Sequence, residues 1–381
     1  MTAHLSFLAL SDHATCDEKR FSIRQAIEEF DSMNTDNKNY QMTRREAICT
    51  LATFPLVTFG LTLPGKDIAS AQYGSVLAQC AASLEACWEL YEHGDRSEML
   101  LGFQCATKYL TTLQGISRTS AQHQKQALHL ATQYALLKTI LGWHCAGSTA
   151  AIQYAREAVA LSKETQDISL QLSAYNKLAW AYSYEKKYSQ ALTSIQEAET
   201  TLDTYTQQPT GEPVPPGIRG GIFSTLALMQ VRNGQSSDMA LAKATERDPG
   251  TDVYAYLDFT RSTMLLEAGW VYCYQDNYAK IMDVLEKRLD PETFVLRMPQ
   301  TEIGRVETIN IMALSSLKAK DRDIERTIHF WEAAVKGART LRSDFFFNMA
   351  LTTYEHMLVV WPGDMRIRDL RDHLVHWEVE S

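Results

Sequence analysis

The feature that most constrains this fold is a stretch whose large and small residues recur at the spacing of a helical hairpin. It spans residues 175–198 and reads YNKLAWAYSYEKKYSQALTSIQEA. The small residues Ala179 and Ala191 stand where the two helices of a hairpin approach each other. The larger Tyr182 and Ile195 stand where the seam between the helices must be filled. The spacing therefore predicts two helices packed against each other.

Weaker copies of the hairpin occur on both sides of it. They lie over residues 151–158, 226–240, 269–285, 313–338 and 344–377. Stacked hairpins bury a continuous core that no single hairpin can bury. No segment sustains the strict alternation of polar and apolar residues that is typical of a half-buried strand. We therefore predict an all-α fold, built as one repeat array over residues 75–377.

The apolar period also predicts individual helices of this array. The expected helices in its first part cover residues 76–93, 97–113, 121–143, 150–163, 168–184 and 189–205. Gly94, Gly115 and Gly147 are expected in turns between them. The final pair is expected over residues 344–360 and 365–377, with the last helix as a cap.

One segment breaks the helical composition. Residues 207–221 hold four of the ten prolines of the chain and four glycines. Such a run favours extended or turn conformations, because proline lacks a backbone donor and clashes with the preceding helical turn. We predict an enlarged loop between two helices of one superhelix, and a domain boundary is the alternative.

The residues before the array are divided into two parts. Residues 1–41 are weakly patterned and predict a leader with one short helix over 21–33, followed by a flexible polar linker. Residues 42–74 contain Arg44-Arg45 before an apolar stretch and a linker.

Two interpretations of residues 42–74 stay open. With its arginine pair, apolar stretch and small residues at 69–71, the segment has the layout of a twin-arginine export signal that begins at Met42. The other interpretation is a short amphipathic helix over 43–53, ended at Pro55 and packed on the first repeat, with Thr43 and Glu46 as a capping box. The apolar stretch is shorter than the roughly 20 residues of a membrane span, so no membrane span is expected.

Charge and cysteine usage exclude two classes of protein. The chain has 37 basic and 46 acidic side chains and a net charge of -9, which argues against nucleic acid as a direct partner. Its seven cysteines include no C-x-x-C pair and do not predict a disulfide framework. A reducing compartment is the simpler expectation.

Motifs of catalysis are missing from the sequence. It contains no phosphate-binding glycine loop, no G-x-S-x-G elbow and no H-E-x-x-H. His373 and His376 are spaced to share a metal ion, but a zinc site needs three or four ligands. For the adjacent His144 and Cys145, packing at a helix end is favoured over nucleophilic chemistry. We therefore expect no enzymatic activity, no cofactor and no metal.

The repeats resemble those of tetratricopeptide (TPR) proteins. More closely, the chain is similar to the C-terminal sensor regions of bacterial helix-turn-helix regulators that carry TPR arrays. The similarity is carried by residues 42–47 (MTRREA), 51–63, 79–84 (QCAASL) and 332–338 (EAAVKGA). It implies a right-handed α-α superhelix in a cytoplasmic regulator. The 41 residues before it are too few for a helix-turn-helix domain and are not basic, so DNA binding is not implied.

In TPR superhelices the first helix of each pair lines a concave groove. On that basis the candidate ligand-binding residues are Asn176, Trp180, Tyr184, Trp270, Tyr274, Asn310 and Lys318. Aromatic rings and side-chain amides suit an extended peptide, because rings supply contact area and amides pair with a peptide backbone. The set does not match the clamp that binds a terminal carboxylate. The alternative is that Trp180 and Trp270 pack between adjacent hairpins.

The sequence thus predicts a non-enzymatic protein- or peptide-binding module of a bacterial regulatory or signalling system, located in the cytoplasm. The alternative is an envelope-associated TPR scaffold, exported through the Arg44-Arg45 segment.

Overall fold

The computed structural model describes residues 44–58, 70–208, 213–246, 259–298 and 300–375. Within these ranges the chain is helical and forms no strand, apart from an isolated antiparallel bridge between Leu289 and Leu296. The predicted all-α class is confirmed. The predicted leader helix over 21–33 lies outside the described residues.

The helices fall into two groups along the chain. The first group is α1 (Arg44–Thr58), a 3-10 turn (Ser70–Gln72), α2 (Tyr73–His93), α3 (Arg96–Thr119), α4 (Gln124–Cys145), α5 (Ser148–Thr165), α6 (Ile168–Tyr184) and α7 (Tyr188–Thr206). The second group is α8 (Pro216–Arg232), α9 (Asp238–Thr245), α10 (Arg261–Tyr274), α11 (Tyr278–Leu285), α12 (Glu302–Lys318), α13 (Ile324–Leu341), α14 (Asp344–Val360), α15 (Met365–Asp369) and α16 (Asp372–Val375).

The helices pack in chain order, which is consistent with an all-α helical repeat. Consecutive helices are in contact from α1 to α9 and from α10 to α15. The even-numbered helices form a second series of contacts, from α2 through α4, α6, α8, α10 and α12 to α14. Helix α12 also contacts α2, so this layer of alternate helices closes on itself.

Most predicted helices are present, and two of the differences concern turns. Gly115 does not form a turn, because α3 continues to Thr119 and buries Ile116 one residue further on. A single helical glycine costs only about 1 kcal/mol, less than burial of such a side chain contributes. The predicted capping helix over 365–377 is instead two short helices, α15 and α16, within the residues that are described.

The Pro/Gly segment is only partly a loop. Helix α8 begins at Pro216, a position where proline is favoured because its missing N–H has no helical partner anyway. Gly220 and Gly221 are buried in α8 rather than in a loop. A Cβ atom at Gly221 would overlap the ring of Phe259, so glycine permits a close approach there.

Helix α1 packs on α2 and α3, as the packed-helix interpretation expects. It does not end at Pro55 but runs through it to Thr58. The hydroxyls of Ser83 and Tyr109 donate hydrogen bonds of 2.7 and 2.6 Å to the carbonyl of Ala52, in the turn before the proline. These bonds from neighbouring helices support the backbone where proline weakens it.

At the start of α1, Arg45 pairs with Asp95 at 2.8 Å and also with Glu98, both at the N-terminal end of α3. Thr43 of the predicted capping box lies outside the described residues. None of the described helices is long and apolar enough to cross a membrane.

Candidate functional site

Three of the predicted groove residues lie together on α6. Asn176 is only 2% exposed, and its amide donates to Thr225 Oγ1 on α8 at 2.7 Å. Trp180 is half-buried, and its indole N–H donates to Glu267 Oε1 on α10 at 3.2 Å. The rings of Trp180 and Tyr184 have centroids 5.6 Å apart. All three residues line one cavity.

Trp270 and Tyr274 lie beside this cavity rather than in its wall. The indole N–H of Trp270 donates to Glu307 Oε1 at 2.8 Å, and Glu307 does line the cavity. Tyr274 is 45% exposed and lies 6.3 Å from the Trp270 ring. Trp270 thus bonds to a glutamate of the adjacent hairpin, and Trp180 bonds to a glutamate of a hairpin beyond the adjacent one and also lines the cavity.

The structure does not bring Asn310 and Lys318 to this site. Asn310 is buried in α12 and donates to the carbonyl of Val306 in its own helix at 3.0 Å. Lys318 is exposed at the last residue of α12. Neither residue lines the cavity, to which α12 contributes Ile303 and Glu307 from its N-terminal half. That they share a groove with Trp180 stays a prediction.

The cavity has a volume of about 280 Å³ and lies where the layer of alternate helices closes. Its wall is largely aromatic. The rings come from Tyr91, Trp143, Trp180, Tyr184, Phe259, Phe345 and Phe346. Trp143 lies 5.0 Å from Tyr184, and Phe345 lies 5.2 Å from Tyr184 on the other side, both edge-on. Tyr184 therefore joins the wall from α4 to the wall from α14.

Opposite ends of helices meet at the cavity. Helices α2, α4 and α6 contribute residues from their C-terminal halves, such as Tyr91, His144 and Lys177. Helices α10, α12 and α14 contribute residues from their N-terminal halves, such as Thr263 and Ile303. Helix C-termini carry partial negative charge and N-termini partial positive charge, so the two sets of dipoles oppose each other at the cavity.

Charged side chains are concentrated on one part of the wall. Glu267 is buried and accepts hydrogen bonds from Trp180 and, at 2.6 Å, from the hydroxyl of Thr225. Glu307 is buried on α12, and Lys177 is buried on α6. Two glutamates and one lysine therefore line the cavity.

Sequence reasoning missed both glutamates, although a signal was present. Glu267 precedes Trp270 by three residues, and Glu307 precedes Asn310 by three residues. Residues three apart share a helix face, so each glutamate lies on the face that was examined for groove residues. Their position against α6, however, depends on the closure of the whole layer, which no local spacing predicts.

His144 and Cys145 are not prepared for nucleophilic chemistry. Burial lowers the pKa of His144 to about 4, so the imidazole is neutral at physiological pH. Its ring lies 6.2 Å from Tyr91 and 6.5 Å from Phe346. Burial raises the pKa of the Cys145 thiol to about 11, which keeps it protonated. Packing accounts for both residues.

Only one of the two histidines that are spaced to share a metal ion, His373 and His376, is described. His373 lies 3.8 Å from Glu332 and edge-on to Trp331, and His376 lies outside the described residues. Elsewhere in the described part of the chain, Glu89, Glu92 and His93 come together at the C-terminal end of α2. His93 is exposed there, as is usual for a solvated cluster at a helix end.

Comparison with known proteins adds no relative: no family model matches this chain, and no curated protein is significantly similar to it. The packing of the helices and the cavity therefore carry the functional argument.

Proposed function

We propose that this protein is a non-enzymatic binding module of the TPR type, which holds a segment of a peptide or protein partner at the central cavity. The cavity is the observation that carries the proposal. Six aromatic side chains from α2, α4, α6 and α14 converge on it, although they are far apart in the sequence. Aromatic rings provide a large contact area at low entropic cost, which is why they dominate binding hot spots.

Close approaches at small residues support the TPR part of the proposal. In the hairpin α6–α7, Ala179, Ala191 and Ala198 are fully buried. In the hairpin α10–α11, a Cβ atom at Gly269 would lie 2.7 Å from Cδ2 of Leu285. Small residues are thus required at these positions because they let the two helices of a hairpin approach each other closely.

The size of the cavity defines the kind of recognition. At about 280 Å³ it falls just below the range of roughly 300–1,000 Å³ that is usual for small-molecule pockets. A space of this size suits one or two anchoring side chains rather than a long extended peptide. The proposal is therefore an anchor site, with the rest of the partner outside the cavity.

A cytoplasmic location belongs to the same proposal. Ile48, Ala52 and Leu56 of α1 are buried in the core, and Arg45 is paired with α3. Removal of α1 with an export signal would expose that part of the core. A mature protein whose N-terminus lies near Gln72 would contradict this location.

The proposal is tested by equilibrium binding to a positional-scanning library of acetylated, amidated hexapeptides, with fluorescence anisotropy as the readout. We expect wild-type protein to bind a subset of the pools, and Trp180→Ala to weaken that binding at least about tenfold. Trp361→Ala is the matched control, because Trp361 is half-buried against a separate hydrophobic cluster of the second group of helices and does not line the cavity. Circular dichroism establishes that each variant is folded.

The proposal fails if no pool binds the wild-type protein. It also fails if Trp180→Ala, folded like the wild type, binds the selected pools with unchanged affinity.

A further inference from the structure

We infer that the anchor held at the cavity is an uncharged aromatic side chain of the partner, such as that of phenylalanine, and not an aliphatic or a charged one. This inference rests on the proposed function and adds the chemical class of the ligand. It is drawn from the contacts of the charged groups in the wall, the arrangement of the rings and the size of the space between them.

The first observation is that the charged groups of the wall are already engaged within the chain. Glu267 accepts a hydrogen bond of 3.2 Å from the indole N–H of Trp180. Glu307 accepts one of 2.8 Å from the indole N–H of Trp270. Lys177 also interacts with another residue of the chain. The charges of the wall therefore have partners before any ligand enters.

A charged anchor would lose free energy in such a site. It gives up its hydration on entry, and groups that are already paired return little of that cost. Either sign also meets like charge. An anion would approach Glu267 and Glu307, and a cation would approach Lys177. Beside the cavity, Arg232 already holds a guanidinium group 5.7 Å from the Trp180 ring. The surroundings therefore favour an uncharged ligand.

The second observation is that the rings of the wall form a continuous series of contacts. Tyr184 lies edge-on to Trp143 at 5.0 Å and edge-on to Phe345 at 5.2 Å, measured between ring centroids. Phe345 lies edge-on to Phe346 at 5.1 Å. The Trp180 ring lies 5.6 Å from Tyr184. Aromatic pairs favour such edge-to-face or offset geometries, with centroids roughly 4.5–7 Å apart, and gain free energy beyond the burial of area. An aromatic anchor extends this series, whereas an aliphatic one gains burial alone.

His144 belongs to the same series of rings. Its imidazole lies 6.2 Å from the Tyr91 ring and 6.5 Å from the Phe346 ring. Burial lowers the pKa of His144 to about 4, so the ring carries no charge at physiological pH. It therefore presents an aromatic surface to the cavity and not a cation.

The third observation is the size of the space. An apolar cavity of about 150 Å³ holds one benzene molecule. The volume of about 280 Å³ therefore holds one ring together with the group that links it to a backbone. Leu266 and Ile303 add aliphatic surface to the wall, which also suits an apolar ligand.

The test uses four small probes, titrated into the full-length protein with ligand-observed NMR and tryptophan fluorescence. The probes are the N-acetyl methylamides of phenylalanine, cyclohexylalanine, lysine and glutamate. Cyclohexylalanine resembles phenylalanine in shape but has no aromatic ring. We expect phenylalanine to bind at least about threefold more tightly than cyclohexylalanine, and at least about tenfold more tightly than lysine or glutamate.

One variant locates the effect at the cavity. Phe345→Leu removes a ring of the wall and keeps an apolar side chain, at a position that is 37% exposed. It is expected to lower binding of the phenylalanine probe at least about threefold and to leave cyclohexylalanine binding nearly unchanged. Phe103→Leu is the matched control, because Phe103 is half-buried in α3, packs on the Tyr154 ring at 5.7 Å and does not line the cavity. The probe series on wild-type protein decides the selectivity even if a variant does not fold.

The inference is overturned if the phenylalanine probe does not bind, or if cyclohexylalanine or either charged probe binds as tightly. It is also overturned if folded Phe345→Leu retains the full preference for the aromatic probe. The proposed function is judged separately. Peptide pools that bind in a Trp180-dependent manner without aromatic residues would sustain the binding module and refute the aromatic anchor.

Discussion

The two parts of the array differ in regularity, and the site depends on that difference. From α2 to α7 every helix has 17 to 24 residues, whereas α9 and α11 in the second part have 8 residues each. The regular part contributes Trp143, Trp180 and Tyr184 to the cavity, and the irregular part contributes Glu267 and Glu307. The regular stack thus provides the tryptophans and tyrosines of the wall together with Lys177, and the irregular stack provides both glutamates and the phenylalanines.

The short helices are compensated by a polar network. After α11 the chain continues without a helix to residue 301, and Arg288 in this connection is only 1% exposed. Its guanidinium donates to Ser262 at 3.0 Å, to Thr308 at 2.6 Å and to Gln300. A buried cation is tolerated where its donors are satisfied, so this connection replaces the missing helical turns by hydrogen bonds.

A substitution at the contact between the two parts is expected to have the largest effect on stability. Phe346 of α14 is 1% exposed and belongs to the hydrophobic cluster formed mainly by α1 to α8. We expect Phe346→Ala to lower the free energy of unfolding by about 3–5 kcal/mol in urea denaturation, because it leaves a cavity between the parts. Phe345→Ala is the control: its side chain is 37% exposed and should cost about 1 kcal/mol or less. Equal costs for the two variants would show that the parts do not depend on this contact.

Substitution of one glycine in each part by alanine compares how tightly the two parts are packed. Gly221→Ala places a methyl group against Phe259 in the irregular part, and we expect a loss of about 1–3 kcal/mol from overpacking. Gly115→Ala lies in an exposed, helical position of the regular part with no atom within 4 Å of the added Cβ, so we expect a gain of about 0.5–1 kcal/mol. Thermal or urea unfolding of both variants checks the opposite signs. A loss at Gly115 would contradict the continuous helix there.

A further expected effect concerns the pH dependence of stability. Burial lowers the pKa of His144 to about 4, below the value of about 6.5 in an unfolded chain. The unfolded state therefore binds the proton first, and stability falls as the pH drops from about 6.5 to 4. The imidazole keeps partial access to solvent, so we expect a loss of about 1–2 kcal/mol rather than the full value of the shift. Urea unfolding at pH 7 and pH 4.5 measures it.

His144→Gln should remove this part of the pH dependence, and His93→Gln, at an exposed position, should not. An unchanged slope in His144→Gln would assign the effect to other groups.

The local sequence pattern was sufficient to predict the helices but not the contacts that each helix makes with distant parts of the chain. Helix bounds 168–184 and 344–360 were predicted correctly, because apolar residues recur there without interruption. Helix α1 was expected to end at Pro55 but continues through it. The hydrogen bonds that support it there come from Ser83 and Tyr109, which lie 31 and 57 residues away from the bonded carbonyl of Ala52. Local sequence patterns do not predict hydrogen-bond partners that are so distant along the chain.

The same limit applies to the candidate site. Trp180 and Tyr184 were identified because one repeat matched the hairpin pattern well. Glu267, which accepts a hydrogen bond from Trp180, and Glu307, which lines the same cavity, come from elements that lie far from α6 in the sequence. Asn310 and Lys318 were chosen on the expectation that every repeat turns the same face inward, and neither of them lines the cavity.

The contact of α12 with α2 has a consequence for how this chain unfolds and evolves. An open stack of repeats loses its terminal units one at a time, and it gains or loses a unit with little effect on distant ones. In a stack that meets its own beginning, loss of α2 or of α12 also breaks the contact between the two parts. The number of repeats is then fixed by geometry, because one hairpin more or less would move α12 away from α2.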